Sequence, residues 1–218
     1  MNVRRPIALA AAAGLAVLAL AGCANQAGAA SQVGSTTITD RQVADVVAEV
    51  KAQNAKVAGS TFDEKTTTSN VVAFLTQKQI LEQAAAREGV TVSQGDVDRV
   101  IADGEANLGG DRQKVADYIF SNVGLPSEQL DAYLRTTLLY SGLVAKIAPG
   151  VTDATAQSKA AKDYLEKFTS DIGVQVSPRF GTWTGISVGP VPNDLSFDPK
   201  AAASASASAS ATPTPSAS

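Results

Sequence analysis

Apolar residues recur through the middle of the chain with the spacing of amphipathic helices. Residues 40–55 place Val43, Val46, Val47 and Val50 on one stripe. Similar stripes predict helices that begin near Asn70, Ser93, Asp111, Pro126 and Thr152. Residues 57–70 break the pattern, which predicts a mobile loop. The predicted fold class is mainly α, with about six helices.

Two of these helices carry apolar residues on more than one side. In the helix after Asn70, Ile80 points away from the main apolar face, which indicates contact with a second surface. That main face contains Val71, Phe74, Leu75, Leu81 and Ala85. In the helix after Pro126, Tyr140 lies on one side and Leu139 and Leu143 on the other. The middle of this second helix is therefore predicted to be buried all round.

The joint between two helices is encoded in residues 86–101. Gly89 is placed for a left-handed helix end, and Ser93 with Asp96 three residues later has a capping pattern. Val92 and Val97 flank that cap as a hydrophobic staple. These residues set the angle between two helices and have no catalytic role.

Two short segments lack helical periodicity and lie at opposite ends of the helical body. The first, residues 32–38, combines glycine and hydroxyl residues with Ile38, and the second, residues 174–180, alternates Val174 and Val176 before Pro178. Pairing them would close the body with a small two-stranded sheet.

The chain begins with the features of an export signal. A basic start precedes an apolar run over residues 7–20, which is shorter than the ~20 residues that a membrane-spanning helix needs. The run ends in Leu20-Ala21-Gly22-Cys23, which resembles the lipobox of bacterial lipoproteins. The resemblance implies cleavage between Gly22 and Cys23 and a diacylglycerol on the Cys23 thiol. The alternative is an ordinary secretion signal followed by a chance cysteine.

These features divide the chain into four parts. Residues 1–22 are the predicted signal peptide, and residues 23–31 are the lipidated cysteine with a short tether. Residues 32–199 are the helical domain. Residues 200–218, which are rich in Ala, Ser, Thr and Pro, have little apolar surface to bury and are predicted to be disordered.

Composition excludes several functions. The chain has no histidine, which rules out Ser-His-Asp and Cys-His catalysis and removes the commonest metal ligand. Cys23 is the only cysteine, so an intramolecular disulfide is impossible. Loss of Arg4 and Arg5 with the signal would change the net charge from −3 to −5, which argues against a nucleic-acid partner. We predict a protein that is not an enzyme and has no cofactor or metal.

Several residues resemble parts of known sites without completing one. Ser187 lies in a G-x-S-x-G pattern, but prolines follow it and no histidine is present, so a nucleophile elbow is not expected. The carboxylate pairs Asp96/Asp98 and Asp163/Glu166 are typical of solvated helix faces. Phe180 and Trp183 are interpreted as aromatic anchors of the sheet, with a ligand platform as the alternative.

The order of segments resembles SurA/PrsA-type chaperones. Residues 33–47 resemble the family's V-N-G-x-x-I-T opening, and residues 74–101 resemble its helix, glycine turn, V-T-V-S and next helix. Residues 125–147 and 148–168 resemble the following long helix and the segment that in many members leads into a parvulin prolyl isomerase. Residues 174–183 resemble the closing strand.

The resemblance implies a chaperone body without its enzyme. Parvulin domains need histidines and about a hundred residues, and neither is found between Val151 and Val174. The leading hypothesis is a membrane-anchored chaperone-like lipoprotein on the outer face of the bacterial membrane that binds unfolded exported polypeptides. The alternative is a non-catalytic envelope adaptor with one specific partner. The client-binding residues are not identifiable at this level, and Phe74, Tyr118 and Tyr140 are suitable positions for cross-linking.

Overall fold

The computed structural model describes residues 28–189, and Gly22, Cys23 and the tail 200–218 lie outside this range. Within it, six helices confirm the mainly α fold class. They are α1 (Asp40–Asn54), α2 (Glu64–Glu88), α3 (Gln94–Leu108), α4 (Arg112–Val123), α5 (Leu130–Ile147) and α6 (Ala154–Ile172). The strands are β1 (Ala29–Val33), β2 (Thr36–Thr39), β3 (Val174–Val176), β4 (Thr182–Trp183) and β5 (Val188–Gly189).

The two ends of the helical body meet in a sheet. β1 pairs with β3 in antiparallel fashion, with Val33 opposite Val174, which confirms the predicted pairing. The sheet has three strands instead of two, in the order β2-β1-β3. The difference arises because the chain reverses at Gly34, whose φ of 57° suits a residue without a Cβ, and Thr36 then pairs with Val33. A separate hairpin joins β4 and β5.

The folded part begins earlier than the predicted boundary at residue 32. β1 starts at Ala29, inside the segment 23–31 assigned to the tether. Ala30 is fully buried, and the Ser31 hydroxyl lies 2.8 Å from the Thr76 hydroxyl of α2. The Thr76 hydroxyl donates its single proton to the Val72 carbonyl at 2.7 Å, so Ser31 is the donor in the first bond. Residues 29–31, whose small side chains resemble a tether, therefore belong to a strand that packs on α2.

Side-chain caps determine where the helices begin. Asp63 accepts a hydrogen bond from the Thr66 backbone N–H at 2.6 Å, and α2 starts at Glu64. The predicted loop over residues 57–70 is therefore wrong for residues 64–70, which are helical. The final helix is capped by Asp153 instead of Thr152, because the Asp153 carboxylate reaches the Ala156 N–H at 2.7 Å. A side-chain oxygen accepts a free N–H at the start of five of the six described helices, whereas α5 follows the 3₁₀ turn Ser127–Gln129 and has no side-chain cap.

The joint between α2 and α3 forms as predicted. Gly89 is left-handed with φ 69°, and Ser93 and Asp96 form a reciprocal capping box. Val97 is fully buried, and Val92 packs against its cluster. Arg135 of α5 also donates to the Val92 carbonyl at 2.6 Å and holds the joint against α5.

Helix α2 lies in the middle of the body and packs against α1, α5 and β1. Ile80 is 4% exposed and packs with Val33, Leu143 and Phe168, so the second surface that its orientation indicates belongs to this chain. The prediction that the middle of α5 is buried all round is wrong at Tyr140, which is 37% exposed. Tyr140 lines a surface pocket between α2, α5 and α6, whereas Leu143 is fully buried in the core. No helix within residues 28–189 has the length and hydrophobicity needed to cross a membrane.

Candidate functional site

One side of α2 is left open by its neighbours. Asn70, Phe74, Gln77 and Leu81 are three or four residues apart and therefore share one stripe of the helix. Phe74 and Leu81 are half-buried, whereas Asn70 and Gln77 are exposed. This stripe forms the floor of a surface depression in which apolar side chains alternate with amides.

The first part of the depression is a pocket of about 600 Å³ at the C-terminal end of α1. Val50 and Asn54 of α1 form one wall, and Phe120 of α4 lies across from them. Leu125 and Tyr133 close the side nearest α5. These elements converge because Val50 and Val71 belong to one core cluster, against which Phe120 packs.

The second part is a pocket of about 410 Å³ between α2, α5 and α6. Tyr140 of α5 and Leu165 of α6 line its two sides. Phe74, Gln77 and Tyr133 line both pockets, so the two are continuous along α2. We call this continuous depression, formed by the two pockets, the trough.

The trough is almost uncharged. Lys162 is the only charged side chain among the described residues that line it. Within residues 28–189 the side-chain amides of Asn70 and Gln77 form no hydrogen bond, so each has a donor and an acceptor available to a ligand. The trough therefore combines apolar rings with free amide groups.

The groups whose pKa values are shifted lie away from the trough. Burial raises the pKa of Tyr164 to about 12, and a hydrogen bond to Glu88 at 2.8 Å adds to the effect. Hydrogen bonds lower the pKa values of the cap residues Asp63 and Asp96. A hydrogen bond to Asp163 raises the pKa of Lys159. Among residues 28–189, no group of three metal-binding side chains is brought together.

The structure places each residue that the sequence singled out. Ser187 lies in the turn of the β4–β5 hairpin, where its hydroxyl is 2.9 Å from that of Thr184. A strand follows Ser187 instead of the helix that a nucleophile elbow requires. Trp183 and Phe180 pack against core clusters, as anchors of the sheet would. Asp96 caps α3, Asp98 and Asp163 are exposed, and Glu166 is half-buried.

The trough itself was not predicted from the sequence. The available signal is the stripe of Asn70, Phe74, Gln77 and Leu81, where amides interrupt an apolar face at helical spacing. Of the cross-linking positions chosen earlier, Phe74 and Tyr140 line the trough and Tyr118 does not. The lipidation and cleavage residues Cys23 and Gly22 lie outside the described part of the chain and stay predictions.

Comparison with known proteins identifies the domain. The model of the SurA-like N-terminal domain matches residues 3–144, which is more than half of the chain and ends within α5. No curated protein and no solved structure matches the chain. The helices, the joint at Gly89 and the order of elements agree with that assignment. The chain therefore belongs to the SurA-like N-terminal domain family, a chaperone-type domain.

Proposed function

We propose that the chain is a lipid-anchored, non-catalytic chaperone-like protein on the outer face of the bacterial membrane, and that its trough binds unfolded exported polypeptides. The observation that carries the proposal is an uncharged, partly apolar trough on a chaperone-type domain. Cys23, which follows a lipobox-like sequence, would carry the lipid, and Gly22 would be the last residue removed.

An extended polypeptide suits the trough for two reasons. Its apolar side chains can cover Phe74 and Tyr133, which removes apolar surface from water. Its backbone N–H and C=O groups lose water when they bind, and the amides of Asn70 and Gln77 can replace that water. Contacts of this kind do not depend on one client sequence, which is what a general chaperone requires.

The first experiment locates the client by photo-cross-linking in membranes. We expect a cross-linker at Phe74 or Tyr140, which line the trough, to capture many different exported chains. Tyr118 is the matched control, since it is 53% exposed but lies outside the trough. Equal capture from Tyr118 would contradict binding in the trough. A single stoichiometric partner from Phe74 would instead indicate an adaptor.

The second experiment introduces a charge into the trough. Gln77→Glu places a carboxylate among apolar side chains. A bound client would desolvate that carboxylate, which is unfavourable, so we expect client binding to weaken roughly tenfold or more. Gln77 is exposed, so the melting temperature should not change. Gln79→Glu is the control on the same helix, because Gln79 does not line the trough. Equal losses in both variants would argue against the trough.

Chaperone activity is measured by the aggregation of an unfolded secretory protein. We expect the full chain at several-fold molar excess to suppress aggregation and Gln77→Glu to suppress it less. Failure of the unaltered chain to suppress aggregation of several clients would overturn the chaperone proposal.

The proposal also states that the chain does not catalyse prolyl isomerisation. Resemblance to the parvulin-containing family implies that this activity requires histidines, and the chain contains none. Uncatalysed isomerisation takes tens to hundreds of seconds, so catalysis is easily detected. We expect no acceleration with a proline-containing peptide in a protease-coupled assay, with an active isomerase as positive control.

A further inference from the structure

A groove with acidic side chains adjoins the trough on the side of α1. It has a volume of about 870 Å³ and lies between α1, α4 and the 3₁₀ turn Ser127–Gln129. The carboxylates of Asp45, Glu49, Asp117 and Glu128 line it. Among the described residues that line it, Lys56 is the one cation. We call this depression the acidic groove.

The acidic groove and the trough are continuous. Val57, Phe120 and Ser121 line both the acidic groove and the first pocket of the trough. Val57 is 48% exposed, so its side chain is accessible to a ligand at the junction of the two depressions. A ligand that lies over Val57 and Phe120 therefore has an uncharged surface on one side and carboxylates on the other.

The carboxylates of the groove lack cationic partners. Within residues 28–189, none of the four takes part in a salt bridge. Glu49 accepts a hydrogen bond from Gln129 at 3.1 Å and Asp117 accepts one from Gln113 at 2.8 Å, and both donors are neutral. Negative charges that repel one another in a groove are stabilised by an incoming cation.

We propose that the occupant of the trough is a polypeptide segment in which one or more Lys or Arg residues directly adjoin an apolar run, with the cation in the acidic groove and the apolar run in the trough. This inference rests on the proposed function and adds the class of client and which part of it lies in each depression. The charge complementarity of the groove and its continuity with the trough carry it.

Such segments are common in unfolded chains. Natural sequences place charged residues beside hydrophobic strands to limit aggregation, so a newly exported chain presents cations next to apolar runs before it folds. A surface with adjacent acidic and apolar halves would select these segments over fully apolar ones. It would disfavour runs flanked by Asp or Glu, since like charges would then meet.

The test compares three peptides that share one apolar run and differ only in two flanking residues, which are Lys, Gln or Glu. Each peptide carries a fluorophore, and its binding to the mature chain, from Cys23 to the C-terminus, is measured by fluorescence anisotropy. At about 0.02 M salt we expect the Lys peptide to bind roughly threefold to tenfold more tightly than the Gln peptide, and the Glu peptide more weakly than both. At about 0.5 M salt the three affinities should converge, because salt screens exposed charges.

Two double variants with the same change in net charge separate the groove from the overall charge. Asp45→Asn with Glu128→Gln neutralises the two groove carboxylates that form no side-chain hydrogen bond among the described residues. We expect this variant to lose most of the preference for Lys and to bind the Gln peptide as before. Asp103→Asn with Glu105→Gln changes residues of α3 outside the groove and should keep the full preference.

The outcomes distinguish this inference from the proposed function. The inference is overturned if the Gln peptide binds and the Lys peptide binds no more tightly. It is also overturned if both double variants lose the preference for the Lys peptide equally. In either case the trough remains a binding site. If no peptide binds, the proposed function fails and the inference fails with it. Self-association that Asp45→Asn with Glu128→Gln abolishes would assign the groove to a second copy of the chain and overturn the inference.

Discussion

Gly89 ends α2 with a backbone conformation that other residues adopt only at a cost. Its φ is 69°, and a Cβ at this position would meet no atom within 4 Å, so any cost comes from the backbone. We predict that Gly89→Ala lowers the free energy of unfolding by about 1–2 kcal/mol, measured by urea denaturation. Gly95 in α3 is the control, because its φ is not left-handed and the nearest atom to an added Cβ is 3.7 Å away. Gly95→Ala should raise stability by about 0.5–1 kcal/mol.

The cap carboxylates Asp63 and Asp96 make stability depend on pH. Hydrogen bonds from Thr66 lower the pKa of Asp63, and those from Ser93, followed by the contact with Arg99, lower the pKa of Asp96. A carboxyl group with a lowered folded pKa stabilises the fold above its unfolded pKa, near 3.8. That contribution is lost as the pH falls through the folded pKa.

We therefore predict that acidification from pH 5 to pH 2 destabilises the unaltered chain more than it destabilises Asp63→Asn with Asp96→Asn. The measurement is the urea midpoint at several pH values. Asp103→Asn is the control, since Asp103 forms no hydrogen bond or ion pair within residues 28–189. If the urea midpoints of the unaltered chain and of the cap variant fall equally with pH, the two caps are not the source of the pH dependence.

At the scale of elements, one buried hydrogen bond joins β1 to α2. Ser31 is 3% exposed and donates to Thr76, which is fully buried. We predict that Thr76→Val lowers the free energy of unfolding by about 1–3 kcal/mol, because the Ser31 hydroxyl then has no acceptor. Ser31→Ala combined with Thr76→Val should cost clearly less than the sum of the two single changes. Additive losses in this double-mutant cycle would show that the bond contributes little.

The elements themselves were predictable where a local signal decided them. The joint at Gly89 and Ser93 follows from the chemistry of caps, and it was predicted correctly. The first turns of α2 were missed because the threonines at 66–68 have low helix propensity, and packing together with the Asp63 cap outweighs it. The first three residues of β1, residues 29–31, were missed because small residues carry no strand pattern, and only packing on α2 explains their burial.

The trough lies beyond what a single helix pattern can predict. Periodicity places Phe74 and Ile80 on different sides of α2, but it does not state which side the other helices cover. The structure covers Ile80 with β1, α5 and α6 and leaves Phe74 at the surface. Nonlocal packing decides which side is covered, so the trough could not be predicted from the sequence although all of its residues are present in it.

At the scale of the whole molecule, the proposed anchor restricts where the domain lies. Cys23 and Gly28 are five residues apart, so an extended chain between them reaches at most about 18 Å. The Gly28 carbonyl accepts a hydrogen bond from the Asp40 N–H at 2.7 Å, which places the start of α1 near the lipid. α1 is about 22 Å long, and Asn54 at its other end lines the trough. With Cys23 anchored, the trough would therefore lie within the combined length of the tether and α1 from the lipid.

We predict that Cys23→Ser transfers the protein from the membrane fraction to the soluble fraction. A single acyl chain binds a bilayer only marginally, whereas two or more bind it stably. Without the Cys23 thiol no acyl chain can be attached there, so the variant should lose its affinity for the membrane. The measurement is cell fractionation together with the intact mass of the purified protein. A variant that stays in the membrane fraction without added lipid mass would contradict anchoring through Cys23.

The pairing of β1 with β3 also determines when the domain can finish folding. β1 is the central strand of the sheet and the first element of the described chain. Its partner β3 follows the last helix. Contacts between distant segments form slowly, and the β1–β3 pairing cannot form until Val174–Val176 has been synthesised and exported. Until then the β1 edge is open to any other strand. The domain thus passes through an incompletely folded state during its own synthesis, and a chain that ends before Val174 would remain in that state.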